Sequence, residues 1–136
     1  RMLETELKDI RRHFRSNILP GNSKFFEHLK IQLEEYFNGT RKEFDIPLET
    51  PGTDFRKQVW KILQTIPYGE TRSYKAQAAA LGNTNAVRAV ANANGANRIS
   101  IIIPCHRVIG EDGKLTGYGG GLWRKSWLLN HEKKNK

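Results

Sequence analysis

Leu3, Leu7, Ile10 and Phe14 recur at helical spacing and predict an amphipathic first helix. Residues 17–22, with Pro20 and Gly21 among them, break that pattern. Ser23 then stands where an N-cap belongs. The helix it opens puts Phe26, Leu29, Leu33 and Phe37 on one face and stops at Gly39. Phe44, Ile46 and Leu48 alternate with polar or proline positions and predict a short extended segment. Thr50-Pro51-Gly52 marks a lobe boundary.

Beyond it, Thr53 caps a helix whose predicted buried face is Phe55, Val59, Ile62, Leu63 and Ile66, ended by Pro67-Tyr68-Gly69. Ser73 caps a short helix through Leu81, closed by Gly82. Asn85 caps another, to about Asn94, closed by Gly95. The tight Gly82-Asn83-Thr84 connection makes the two read as a helix-turn-helix. Ile101-Ile102-Ile103 reads as a buried strand. Val108-Ile109 and Lys114-Leu115-Thr116 flank a turn at 110–113, a hairpin pattern. The glycine-rich residues 117–121 form a loop that lacks the Walker lysine of a phosphate loop. A last helix over 123–132 is predicted to turn Trp127 and Leu128 inward.

The second helix of the pair is unusually slim. Ala86, Ala89, Ala91, Asn92, Ala93 and Asn94 leave a narrow cylinder with one long cation, Arg88, near its start. Two readings stand: a helix shaped to enter a nucleic-acid groove, or an internal helix in which alanine serves propensity. The asparagines favour the groove, because they are poor helix formers.

Charge sharpens that choice. The chain of 136 residues carries a net +9. Residues 1–50 hold nine Lys/Arg against nine Asp/Glu, and residues 51–136 hold fourteen against five. A basic segment beside a neutral one suggests that the second half faces a polyanion, with a merely solubilising surface as the alternative. The length suits one ordinary domain, or a small domain with an extra lobe, and can bury a core without disulfides or metal. One cysteine cannot form an internal bridge, and no cluster has zinc-site spacing, so no metal is expected. No apolar stretch approaches the roughly 20 residues of a membrane span. A reduced, cytoplasmic protein without a membrane partner is expected. The opening Arg1-Met2, without a leader, is compatible with a fragment of a longer chain.

The one cysteine lies in Pro104-Cys105-His106-Arg107-Val108, at the polar end of an apolar run. Cations beside a thiol lower its pKa, and the thiolate is the reactive species, so a reactive thiol is weighed against an inert buried one.

Pro104-Cys105-His106-Arg107-Val108 resembles the active-site signature of the O6-alkylguanine-DNA alkyltransferases, which repair DNA by direct reversal. Thr53-Asp54-Phe55, Val59-Trp60, residues 66–71, Ser73-Tyr74, Arg88-Ala89-Val90, Asn97, Gly117-Tyr118 and Leu128-Leu129 fall in that family's order. The resemblance covers residues 51–132 strongly and 23–50 more loosely. It implies an α/β (α+β) N-terminal lobe, a partial ribonuclease-H-like unit over 1–50. A mainly helical, winged-helix-like DNA-binding domain over 51–136 would follow and carry the active site.

The resemblance also implies roles. Cys105 would accept the alkyl group from guanine O6, and possession of the thiol separates the chain from alkyltransferase-like binding modules. His106 would deprotonate the thiol through water, with Glu132 holding and charging the imidazole; by itself, Glu132 reads as a tail charge. Asn97 would brace the turn, and Tyr74 would donate to guanine N3. Carbonyls near Cys105 and Val108, amides around Gly119 and Gly120, and the Tyr118 ring would form the base pocket. The consecutive glycines here imply room for larger alkyl groups. Arg88 would fill the stack left by a flipped nucleotide, with Ala86, Ala89 and Asn92 in the minor groove and Arg98, Lys75 and Arg72 on phosphates. The implied partner is double-stranded DNA containing alkylated guanine, bound by a monomer without a cofactor. A place in a bifunctional adaptive-response protein, whose other half regulates transcription, fits the same residues. A plain helix-turn-helix regulator would need no Cys-His pair, and a small-molecule cysteine hydrolase would need no basic segment.

Overall fold

Among the described residues the helices are α1 (Met2–Ile18), α2 (Lys24–Phe37), α3 (Asp54–Leu63), α4 (Tyr74–Ala80), α5 (Val87–Gly95) and α6 (Leu122–Lys134). Two short strands, β1 (Arg72–Ser73) and β2 (Val108–Ile109), pair in parallel. The computed structural model describes residues 2–18, 24–46, 51–118 and 121–136. Pro20, Gly21, Ser23, Leu48, Thr50, Gly119 and Gly120, and the side chains of Leu3 and Phe26, lie outside the described residues.

The helical periodicity of the N-terminal segment corresponds to one buried cluster. Ile10 and Phe14 of α1 meet Leu29, Leu33, Tyr36 and Phe37 of α2, together with Ile101, Ile102 and Leu128. Gly39, at φ +82°, takes the left-handed conformation that ends α2. Over its described residues, 44–46, the predicted extended segment is not a strand. Phe44 and Ile46 pack on the cluster, but the backbone polar groups of Asp45 bond to the Gln32 side chain, at 3.0 Å for its N–H and 3.3 Å for its carbonyl. A buried glutamine thus takes the place of a neighbouring strand. Asp9 accepts two bonds from the Arg124 guanidinium, at 2.9 and 3.2 Å, and so ties α1 to α6.

The second cluster lies under α3, α4 and α5. Thr53 and Ser73 cap α3 and α4 as their sequence positions predict, accepting from the Arg56 and Ala76 amides at 3.2 and 3.0 Å. Within α3, Val59, Trp60 and Leu63 are buried, whereas Phe55 is exposed. Trp60 is held inside by its indole N–H, which reaches the Ala93 carbonyl of α5 at 2.8 Å. The helix also ends at Leu63, before the Pro67-Tyr68-Gly69 turn.

Asn85 does not cap α5. Its amide donates to the Asn83 side chain, and α5 runs from Val87 through Gly95 with no side-chain cap. The slim helix has one buried and one exposed face. Val90, Ala93 and Asn94 face the interior, while Arg88, Ala89 and Asn92 are exposed. Asn94 exchanges two amide bonds of 2.8 Å with Gln77 of α4, so this asparagine is structural.

Two further expectations change. Ile101-Ile102-Ile103 is fully buried but irregular, with Ile101 at φ +75°, a conformation that strains a β-branched residue. The apolar run reported burial and not a strand. The hairpin over 108–116 closes through Gly110 N–H to the Lys114 carbonyl at 2.8 Å, yet 114–116 form no strand. β2 pairs instead with β1, unrecognised in the sequence because it is only two residues long.

The Gln77–Asn94 exchange yields a prediction. Asn94→Ala leaves the Gln77 amide buried without partners and should destabilise the fold by about 1–3 kcal/mol. Urea denaturation checks this, and Gln77→Leu/Asn94→Leu should cost less than Asn94→Ala alone.

Candidate active site

Cys105, His106 and Arg107 form one turn of 3₁₀ helix between the buried isoleucines and β2, and all three are buried. The two cations beside the thiol in sequence turn toward α6. His106 Nε2 lies 2.6 Å from Glu132 Oε2, and Arg107 reaches Glu132 through Nε at 2.8 Å and Nη2 at 3.1 Å. The Tyr36 hydroxyl donates to Glu132 Oε2 at 2.6 Å, and the Gly69 amide donates to Oε1 at 3.2 Å. Arg107 spends a further N–H on the Ile66 carbonyl at 2.7 Å.

These contacts determine protonation. Burial alone would raise the Glu132 carboxyl, but His106 and Arg107 outweigh it and hold the group far below the usual carboxylate range. Burial lowers His106 from the ordinary 6.5, against the opposing pull of Glu132, so the ring is neutral at neutral pH and Glu132 holds it without charging it as expected. An ionised carboxylate only accepts, which makes Nε2 the protonated nitrogen. Nδ1 then carries the lone pair, and it is buried without a partner among the described residues. The ring is a base with a free acceptor.

The thiol differs from its sequence expectation. Burial raises the Cys105 pKa above 9.0, and only partial relief comes from the Asn97 hydrogen bond and the charge of Lys125. His106 and Arg107 give no such relief because Glu132 engages both. Asn97 Nδ2 donates to the Ile103 carbonyl at 2.8 Å and to Cys105 Sγ at 3.3 Å, while its Oδ1 accepts from the Ile99 amide at 2.9 Å.

Cys105 opens into a cavity of about 360 Å³ shared with Tyr74, Asn97, Gly117 and Tyr118. The Tyr74 hydroxyl donates to the Thr116 carbonyl at 3.1 Å. Burial, then proximity to Cys105, pushes the Tyr118 phenol well above its ordinary range. Val108 is buried beside the turn. Arg88 and Asn92 are exposed on α5 and Arg98 is exposed beyond it, with Ala86 half-buried. Arg72 is paired with Glu70 at 3.2 Å. The structure therefore gathers Cys105, Asn97, Tyr74 and Tyr118 around one cavity, with His106 and Glu132 behind the thiol; Arg88, Ala89 and Asn92 lie on a separate outer face.

Four participants escaped the sequence reading: Arg107 in its actual role, Tyr36, Gly69 and Lys125. Lys125 is completely buried, donates to the Thr116 carbonyl at 2.9 Å and lies 5.7 Å from the centre of the Tyr74 ring. Burial draws its pKa down to about 8. A signal existed. Lys125, Leu128 and Glu132 occupy one stripe of α6 at helical spacing, which puts two charged residues where core residues belong. Among the described residues no cluster of His, Cys, Asp or Glu could hold a metal, and no helix is long and apolar enough to cross a membrane.

Comparison with known proteins identifies the family. Residues 54–134 match the "6-O-methylguanine DNA methyltransferase, DNA binding domain" and residues 2–50 the "6-O-methylguanine DNA methyltransferase, ribonuclease-like domain". The chain belongs to the 6-O-methylguanine DNA methyltransferase family. A methylated-DNA–protein-cysteine methyltransferase of Methanosarcina barkeri is 57% identical over 84% of this chain and 72% of its own length. One from Mycobacterium bovis is 53% identical over 98% and 78%. The crystal structure of Mycobacterium tuberculosis OGT in complex with DNA superposes with a TM-score of 0.79 at 57% identity, covering 81% of this chain and 68% of that one.

Two measurements check the electrostatics. Glu132→Gln leaves Arg107 buried without a counter-ion and should cost about 3–5 kcal/mol in denaturant unfolding. His106 and Glu132 both have folded pKa values below their ordinary 6.5 and 4.5, so the unfolded chain binds more protons on acidification. Stability should therefore fall as pH drops below about 6.5, and fall again below about 4.5. Melting curves from pH 8 to 3 read both steps. Separately, the rate of Cys105 carboxamidomethylation against pH should give a thiol pKa above 9.0.

Proposed function

We propose that this protein repairs alkylated DNA directly, moving an alkyl group from guanine O6 to Cys105 in a single, stoichiometric turnover. The observation that carries the reading is a thiol facing a substrate-sized cavity, backed by a neutral base that an ionised carboxylate orients. The thiol proton passes to His106 Nδ1 through water. The thiolate attacks the alkyl carbon, an S–C bond forms, the C–O6 bond breaks, and its electron pair leaves with the guanine. Tyr74 exchanges its bond to Thr116 for one to guanine N3 and so offsets the charge that develops there. The C–S bond of an unactivated thioether does not hydrolyse at neutral pH, so Cys105 stays alkylated. O4-alkylthymine is a second substrate of the same chemistry.

Guanine O6 is paired in the duplex, so the nucleotide must leave the stack. The exposed Arg88, Ala89 and Asn92 face supports minor-groove entry by α5, with Ala86 at its start and Arg88 in the vacated stack. Arg98 and Lys75 are exposed and available to phosphates. Tyr118, Val108, Gly119 and Gly120 belong to the base pocket. The proposal includes a monomer acting in the cytoplasm without a cofactor, with residues 1–50 as a partial ribonuclease-H-like lobe and 51–136 as the DNA-binding catalytic unit.

Incubation with duplex DNA containing O6-methylguanine should add about 14 Da, one methylene, to the protein, and Cys105→Ser should abolish the gain. An unchanged mass contradicts the proposal. Arg88→Ala should slow reaction with duplex DNA roughly tenfold more than reaction with the free base, because the extrusion step loses its support.

A further inference from the structure

The cavity that holds Cys105 is not built by the helix-turn-helix half alone. His13 and Phe14 of α1 line it, together with Tyr74, Asn97, Cys105 and Tyr118. Nothing in the N-terminal sequence pattern singles out His13. Its position follows from how α1 is fastened.

Ile10 and Phe14, one helical turn apart, are buried in the cluster that includes Leu128 of α6. Asp9 and His13 are also one turn apart, so they share a face of α1. Asp9 is held by two bonds from Arg124 of α6, which orients that face toward α6. The His13 ring meets Phe14 edge-on, with centroids 4.9 Å apart and planes at 88°. Burial, then the charge of Arg124, holds the imidazole below its ordinary 6.5. At neutral pH the cavity wall therefore carries a flat, uncharged ring.

We propose that His13 is a specificity-determining residue: its ring bounds the cavity beside Cys105 and limits the size of the alkyl group that the thiol can accept. The inference rests on the reading of Cys105 as the alkyl acceptor. Phe14 lines the same cavity but is also a core residue, so its replacement would unfold the lobe before it altered selectivity. His13 is only half-buried and can be varied in size.

Single-turnover rates with duplex DNA carrying O6-methylguanine or O6-benzylguanine test this, read as the benzyl-to-methyl ratio. His13→Ala should raise the ratio about tenfold and His13→Trp should lower it, the usual scale for a few methylenes of pocket volume. His13→Gln should fall between the parent and His13→Ala. Lys8→Ala, at an exposed position of α1, provides the comparison, and thermal melts establish that each variant is folded. A second arm needs no DNA: the rates of Cys105 modification by N-benzyliodoacetamide and by iodoacetamide should give a ratio that moves the same way. If DNA transfer fails in the parent while the thiol arm responds, the function reading falls and the wall stands. If folded His13→Ala and His13→Trp both keep the thiol-arm ratio within about twofold of the parent, the proposal is overturned, whatever happens with DNA.

Discussion

The site depends on one buried carboxylate. Glu132 receives Tyr36 from α2, the Gly69 amide from the turn after α3, and both His106 and Arg107 from the 3₁₀ turn. A carboxylate removed from water is stable only when such partners satisfy its oxygens. These partners come from three separate stretches of chain, so the charge is accommodated only once the fold is assembled. The N-terminal helices are thereby coupled to the turn that carries the thiol.

From that constraint the chemistry of the turn follows. Because Glu132 is ionised and can only accept, His106 must present Nε2–H to it, which leaves Nδ1 as the basic nitrogen. Because Arg107 already neutralises Glu132, the imidazole need not be charged. Because the His106 ring is neutral and Arg107 faces Glu132, the Cys105 thiol keeps the high pKa that burial imposes. A resting thiol of this kind is protected from casual oxidation and alkylation, and it becomes a nucleophile when a base takes its proton. Asn97 and Lys125 supply the local polarity that burial removes.

Much of the fold was legible because helical periodicity is a direct readout of burial. Ile10, Phe14, Leu29, Leu33 and Phe37 are core residues as their spacing indicates, and Thr53 and Ser73 cap their helices. The failures share a cause: a side chain did what backbone was expected to do, or a buried group was polar. Gln32 substitutes for a strand beside Asp45, and the Asn97 bonds and the unusual Ile101 backbone replace a strand at 101–103. Trp60, left off the predicted buried face, is buried and bonded to the Ala93 carbonyl, while Phe55 is exposed. Cys105 and His106 were legible as adjacent residues. Their connection to Glu132, Tyr36 and Gly69 spans long sequence separations that no local pattern encodes, and the resemblance alone supplied Glu132.

The central claim is that Glu132 fixes His106 as a neutral base with its lone pair on Nδ1. Nitrogen-15 NMR of the histidine side chains at pH 7, with His106 assigned by its absence in His106→Gln, tests it most directly. The account predicts a neutral ring protonated at Nε2, with an unprotonated Nδ1, and a change of that pattern in Glu132→Gln. An imidazolium, or a ring protonated at Nδ1, in the parent protein at pH 7 would contradict it.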